Sequence, residues 1–256
     1  MGLLFSGDSP FFYEKNGGEN RFMIHNKIEK GMKDGIPIAV GYFSVSFTFG
    51  MLAVKSGISP FHAVLISLMN LTSAGQFAGL TVIISGASLV EMALTQLVIN
   101  IRYALMSISL SQKLDTSVKT GSRLLIAYGN TDEIFAVASS KPGTVGAKYM
   151  YGLIFLPVVG WVGGTLAGAV ASTILPASVI SALGVALYGM FIAIVVPPCT
   201  EHREVRTVVL IALILSVAFY YLPVLKQISS GFMIIICTVV AAAIGAVLFP
   251  VKEDEV

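Results

Sequence analysis

Residues 36–54 read IPIAVGYFSVSFTFGMLAV, a run without a single charged side chain. From there to position 112, the only Asp, Glu, Lys or Arg residues are Lys55, Glu91 and Arg102. A helix crosses the hydrocarbon core of a bilayer with about 20 apolar residues, so this stretch has room for three crossings. Backbone in lipid must be hydrogen-bonded internally, as in a helix bundle or a closed barrel. Because these runs are longer than barrel strands of about 10 alternating residues, they predict an all-α bundle.

The composition of the whole chain agrees with a protein that lies in a membrane. Of its 256 residues, 55% are hydrophobic and only 12% are charged, and the mean hydropathy is +0.85. Soluble domains carry about a quarter charged residues, so a soluble globular protein is excluded. A formal net charge of +2 excludes a strongly basic nucleic-acid binder. The two cysteines and three scattered histidines form no metal motif, and we expect neither a metal nor another cofactor.

We predict a polytopic transmembrane helix bundle with seven or eight hydrophobic segments. The segments are 36–54, 58–84, 88–110, 124–140, 148–174, 178–198, 207–225 and 231–250. Polar residues interrupt the second segment at 73–76 and the fourth at 131–133. Such broken helices occur at membrane depth where they line a cavity or are buried in protein. Six full spans with two broken or re-entrant segments is therefore the alternative.

Three regions of the chain differ in charge. Residues 1–35 hold ten charged residues and are interpreted as a polar tail with an interfacial segment; 36–250 form the transmembrane domain, and 251–256 a short acidic tail. Because Lys and Arg concentrate on the cytoplasmic side, we expect a cytoplasmic N-terminus. Eight full spans would place Lys113, Lys119 and Arg123 outside, which favours the alternative with broken segments.

A polar stripe follows the third segment. At about 100° per residue, Gln96, Asn100, Tyr103 and Ser107 fall on one face of a helix. One interpretation is hydrogen bonding between helices, which contributes about 0.6 kcal/mol per bond on average. The other is a lining for a polar solute. The residue types alone leave both interpretations open.

A few ionisable residues lie where they are costly. An Arg, Lys or Asp at the centre of a membrane helix costs about 2.5–3.5 kcal/mol on insertion scales. Arg102 is either an anchor neutralised by a carboxylate or a group that binds a carboxylate ligand in bidentate fashion. Asp132, Glu133 and Glu91 are candidates for proton coupling, because desolvation raises the pKa of a carboxyl group. Alternatively, Asp132 and Glu133 belong to a solvated turn with a helix cap.

Small residues form two further patterns. Gly160, Gly164 and Gly168 recur every four residues, which is typical of a ridge that lets another helix approach closely. In the second segment, Gly75 precedes Gln76, and this pair favours either close packing or unwound backbone that faces a substrate.

Several short motifs together resemble the AzlC family, the large subunit of branched-chain amino-acid exporters of the azaleucine-resistance type. They are KDGIP at 33–37, AGQF at 74–77, NIRYALM at 100–106 and TDE at 131–133. The likeness extends from about residue 30 to about residue 250. It implies export of leucine, valine, isoleucine or analogues across a plasma membrane, together with a small hydrophobic partner subunit of the AzlD type. The sequence contains no phosphate-binding loop, so an ion gradient is the expected energy source.

Our working hypothesis is a secondary exporter of small zwitterions. Gln76, Asn100 and Tyr103 would be polar contacts of the substrate, with Arg102 near its carboxylate. The alternatives are a non-transporting scaffold for a partner subunit, suggested by the glycine ridge, and a membrane-embedded enzyme. The sequence lacks a zinc-protease helix motif and a nucleophile elbow, which argues against the enzyme.

Overall fold

A computed structural model of the chain describes residues 11–12, 23–24, 26–176, 178–179, 192, 195–223 and 225–250. Most of the predicted segment 178–198 and the C-terminal tail at 251–256 lie outside the described residues. So does most of the predicted N-terminal tail at 1–35, apart from residues 26–35 and a short antiparallel pair, β1 (Phe11–Phe12) with β2 (Met23–Ile24).

The rest of the described chain is built mainly from α-helices. They are α1 (Ile28–Lys55), α2 (Pro60–Met69), α3 (Ser73–Ile84), α4 (Leu89–Lys113), α5 (Thr120–Tyr128), α6 (Asp132–Ser139), α7 (Ala147–Ile174), α8 (Arg203–Tyr221) and α9 (Ser230–Leu248). Among the described residues, five helices are long and apolar enough to cross a membrane: α1, α4, α7, α8 and α9. The prediction of an all-α transmembrane bundle is confirmed, whereas the count of seven or eight segments is not.

The predicted segment 58–84 is two helices, as the alternative with broken segments expects. The position of the break differs from the prediction: residues 73–76 form the first turn of α3, and the chain is non-helical at 70–72. Thr72 is the cause, because its backbone is extended and its hydroxyl accepts a hydrogen bond from the Gly75 N–H. A side chain that caps an N-terminus starts a helix where a polar pattern alone suggests an interruption.

The segment 124–140 is also broken. Helix α5 ends at Tyr128, the chain is non-helical at 129–131, and α6 begins at Asp132. Thr131 adopts extended backbone at the N-cap position of α6. Asp132 and Glu133 therefore occupy the first turn of a new helix, where acidic side chains favourably meet the positive end of the helix dipole.

The chain divides into two compact units. The first unit comprises Met1–Phe47, Ser67–Leu71 and Arg102–Thr165; the second comprises Thr48–Ile66, Thr72–Ile101 and Leu166–Val256. The largest fully buried side chains of the first unit include Tyr149 and Trp161. In the second unit, Phe49, Ala53, Ala63 and Leu80 form a smaller buried cluster.

In the first unit, α7 packs closely against α1 through two glycines of the predicted ridge. A Cβ atom at Gly160 would lie 2.5 Å from the Ala39 carbonyl oxygen, and one at Gly164 would lie 2.9 Å from the Phe43 Cα. Small residues allow this approach because no side chain separates the two backbones. Gly168, the third member of the ridge, belongs to the second unit and is buried.

Candidate functional site

The first unit contains an ion pair near the middle of α4. Arg102 Nη1 lies 2.8 Å from Asp132 Oδ2, which joins α4 to the first residue of α6. The two side chains are 47% and 41% exposed, so neither is buried. A charged hydrogen bond of this kind is about twice as strong as a neutral one. The pair combines a cation and an anion at a point of a membrane-length helix where each alone would be costly.

Tyr103 supports the guanidinium of its neighbour. Arg102 Nη2 lies 3.4 Å from the Tyr103 hydroxyl oxygen, and Arg102 Cζ lies 5.0 Å from the centre of the Tyr103 ring. A cation at this distance from an aromatic face is attracted by the ring. An arginine has five N–H donors in a fixed fork, and Asp132 and Tyr103 together occupy only some of them. The guanidinium can therefore accept a further carboxylate without losing its support.

A second polar group lies beside the ion pair in the first unit and includes Tyr42 of α1. The Tyr42 hydroxyl oxygen lies 2.5 Å from Glu133 Oε2 and 2.6 Å from Thr131 Oγ1. A hydroxyl has one proton to donate, and an ionised carboxylate only accepts. Tyr42 therefore donates to Glu133, and the Thr131 hydroxyl donates to Tyr42. This arrangement ties the start of α6 to α1.

Tyr42 is a site residue that sequence reasoning does not single out. It is 8% exposed, and its ring contacts that of Trp161 edge to face, with 5.2 Å between the ring centres. The sequence feature that points to this residue is a tyrosine within the apolar run 36–54, because a buried tyrosine hydroxyl usually finds a hydrogen-bond partner. The identity of that partner depends on tertiary packing.

Asp132 and Glu133 differ in their partners, although they are adjacent in sequence. Asp132 binds Arg102, and Glu133 binds Tyr42. Burial raises the pKa of Asp132 above its usual range, and the opposing effect of the Arg102 guanidinium is smaller. Asp132 begins α6, outside the five membrane-length helices.

In the second unit, part of the predicted polar stripe binds the start of α3. Gln96 Nε2 donates to the Gly75 carbonyl oxygen at 2.8 Å, and Asn100 Nδ2 donates to Gln96 Oε1 at 3.0 Å. A Cβ atom at Gly75 would lie 2.8 Å from Gln96 Oε1, so glycine allows this contact. Gln76, one residue further, is 1% exposed. These contacts fit the interpretation of the stripe as hydrogen bonding between helices.

The predicted substrate contacts are divided between the two units. Gln76 and Asn100 belong to the second unit, and Arg102 and Tyr103 belong to the first. Ser107, the last member of the stripe, accepts a hydrogen bond from Asn130 Nδ2 at 3.1 Å, within the first unit. Within the described part of the chain, no three His, Cys, Asp or Glu side chains come together to hold a metal ion.

Glu91, in the second unit, contacts the N-terminus of α9. It is 5% exposed, and its Oε1 accepts hydrogen bonds from the Ser229 hydroxyl at 2.5 Å and the Gly231 N–H at 2.9 Å. A Cβ atom at Gly231 would lie 2.5 Å from the same oxygen. These contacts are those of a helix cap supplied by another helix, and proton coupling by Glu91 stays a prediction.

We expect Glu91→Ala to destabilise the protein by about 1–3 kcal/mol, because it leaves the Ser229 and Gly231 donors unsatisfied. Thermal melting of the purified chain in detergent, followed by circular dichroism, measures this loss. The matched control is Glu204→Ala, since Glu204 is exposed in the first turn of α8. Equal melting temperatures for the two variants would show that the cap contributes nothing.

Comparison with known proteins finds a matching family and several similar membrane proteins. The sequence profile of the family described as AzlC protein matches residues 37–175. The inner membrane protein YgaZ of Escherichia coli (strain K12) is 30% identical over 204 residues, which cover 76% of this chain and 83% of YgaZ. An uncharacterized membrane protein of Archaeoglobus fulgidus is 34% identical over 182 residues, covering 70% of this chain and 79% of that protein.

A third relative covers less of the sequence. An uncharacterized membrane protein of Helicobacter pylori (strain 26695) is 31% identical over 147 residues, covering 54% of this chain and 63% of the relative. No solved structure matches the chain significantly. The matched residues 37–175 include Tyr42, Arg102, Asp132 and Glu133.

Proposed function

Because this chain belongs to the AzlC family, we propose that it is the large subunit of a secondary exporter of branched-chain amino acids. The observation that carries the proposal is the Arg102–Asp132 ion pair, which stands half-exposed near the middle of a membrane-length helix. Ionisable groups at membrane depth are costly, and they usually serve a substrate or ion pathway.

The proposed substrate is leucine, valine, isoleucine or an analogue. Arg102 would bind its carboxylate, because a guanidinium fork matches two carboxylate oxygens. Tyr103 is a further proposed polar contact, and the apolar walls of the helices would accept the aliphatic side chain. Gln76 and Asn100, in the second unit, stay polar contacts proposed from the sequence alone. Selectivity among aliphatic side chains would be modest, since one methylene group is worth only about 1–3 kcal/mol in an apolar pocket.

Proton coupling is the proposed energy source. The sequence has no phosphate-binding loop for a nucleotide, which favours an ion gradient. Asp132 and Glu133 are the proposed proton carriers. Burial raises the pKa of Asp132 toward the working pH, and the hydrogen bond from Tyr42 to Glu133 connects the second carboxyl group to α1.

The proposed setting is the plasma membrane, with the N-terminus in the cytoplasm and a small hydrophobic partner subunit of the AzlD type. Two of the membrane-length helices, α4 and α8, are mostly exposed, which supports this setting. Only 11% of the span in α4 and 6% of that in α8 are buried within the chain. Their remaining apolar surface would contact lipid or the partner.

Expression in cells tests the proposal. We expect cells that produce the chain with its partner subunit to release labelled leucine faster than cells with an empty vector, because an added exporter lowers the internal pool. The measurement is the amount of leucine that remains inside the cells after they have been loaded with a leucine-containing peptide. An unchanged pool, with the chain present in the membrane, would contradict the function.

A further inference from the structure

We infer that Arg102 and Asp132 form a receptor for both charged groups of an α-amino acid, which opens when the substrate enters. The substrate carboxylate takes the place of Asp132 on Arg102, and the released Asp132 binds the substrate ammonium group. This inference rests on the proposed function and assigns the part of the substrate that each residue recognises.

The geometry of the ion pair suits a small ligand that carries two opposite charges. Arg102 Nη1 and Asp132 Oδ2 are 2.8 Å apart, and both side chains are partly exposed. In an α-amino acid, one carbon atom separates the carboxylate from the ammonium group. A ligand that inserts into the pair therefore meets a cation with one end and an anion with the other, after a small separation of two side chains. Tyr103 keeps the guanidinium in place during this exchange.

Charge balance also favours a ligand with one positive and one negative group. The closed pair is neutral, the zwitterion is neutral, and the opened complex contains two neutral ion pairs. No proton, electron or covalent bond is exchanged in this step. Separating an ion pair is costly when one partner is left without a counter-ion. The zwitterion leaves neither partner alone, whereas a ligand with only one charged group leaves either Asp132 or Arg102 uncompensated.

The two adjacent carboxyl groups of α6 have different partners. Consecutive residues of a helix point about 100° apart, so Asp132 and Glu133 do not face the same partner. The Tyr42 hydroxyl holds Glu133 at 2.5 Å, while Asp132 faces Arg102. Asp132 is therefore the ammonium receptor, and Glu133 recognises no part of the substrate.

Competition with labelled leucine tests the inference on the full chain in membrane vesicles. The probes are unlabelled leucine, its α-keto acid, which lacks the ammonium group, and 3-methylbutylamine, which lacks the carboxylate. In the wild-type protein we expect leucine to bind at least about tenfold more tightly than either analogue, as for a lost charged hydrogen bond.

Asp132→Asn should change two affinities in opposite directions. Leucine binding should weaken by about tenfold, because the ammonium loses its carboxylate, and α-keto acid binding should strengthen by about tenfold, because no carboxylate is left unpaired. Arg102→Gln is the mirror variant, with weaker leucine binding and stronger binding of the amine. Glu204→Gln is the control, since Glu204 is an exposed carboxyl group in the first turn of α8, and its ratio of leucine to keto-acid affinity should equal that of the wild type.

The outcomes are distinguishable. If Asp132→Asn weakens leucine and the keto acid equally, Asp132 only supports the structure and the inference is wrong, although the exporter function stands. If Asp132→Asn does not reach the membrane, the Arg102→Gln arm decides between the same two outcomes. If the wild-type protein binds none of the probes, both the inference and the proposed function are overturned.

Discussion

Arg102→Ala is expected to reduce leucine efflux by at least about 100-fold, because two charged hydrogen bonds to the substrate carboxylate, worth about 1.5–3 kcal/mol each, are lost. The variant loses the proposed carboxylate ligand and leaves Asp132 without its counter-ion. Arg102→Lys keeps the charge but not the planar fork, so we expect an intermediate loss. The measurement is the initial rate of labelled leucine efflux, normalised to the amount of chain in the membrane.

Lys55→Ala is the matched control for this experiment. Lys55 is an exposed cation in the last turn of α1 and belongs to the second unit. Its removal changes the net charge of the chain by the same amount, but it should leave efflux within about twofold of the wild type. Wild-type efflux from a well-inserted Arg102→Ala variant would refute the site.

Gly164→Ala is expected to destabilise the protein by about 1–3 kcal/mol, the usual cost of overpacking. A Cβ atom there would lie 2.9 Å from the Phe43 Cα and would also meet Ser46, so α7 and α1 would have to separate. Gly163→Ala is the control on the next residue. Nothing lies within 4 Å of a Cβ atom at Gly163, and alanine improves helix propensity by up to about 1 kcal/mol.

Alanine at these two adjacent positions should therefore change the stability of the protein in opposite directions. Melting temperatures of the purified variants in detergent should fall for Gly164→Ala and stay equal or rise for Gly163→Ala. A similar fall for both variants would mean that the loss of glycine flexibility matters, and that close packing of α7 on α1 does not.

Local sequence patterns predict much of this fold because lipid imposes a strong constraint on them. The uncharged run at 36–54 falls within α1, and the polar interruption near 131–133 marks the start of α6. The position of the other break was harder to predict. A cap by Thr72 starts α3 before the polar residues 73–76, and a local hydroxyl contact of this kind leaves little trace in hydropathy.

Pairing between distant residues was the part that sequence could not provide. Arg102 is identifiable from its cost, but its bond to Asp132 depends on how α4 and α6 pack. The same holds for Tyr42 with Glu133, whose sequence separation is large. Glu91 is also identifiable from its cost, but its contacts are structural, because its carboxylate caps α9.

Transport is measured most directly as efflux of labelled leucine from proteoliposomes that contain the purified chain, alone and with any small subunit that copurifies. We predict saturable efflux that unlabelled valine and isoleucine compete for, that responds to an imposed pH gradient, and that Arg102→Ala abolishes. Efflux equal to that of protein-free liposomes, from chain shown to be folded and inserted, would contradict the central claim.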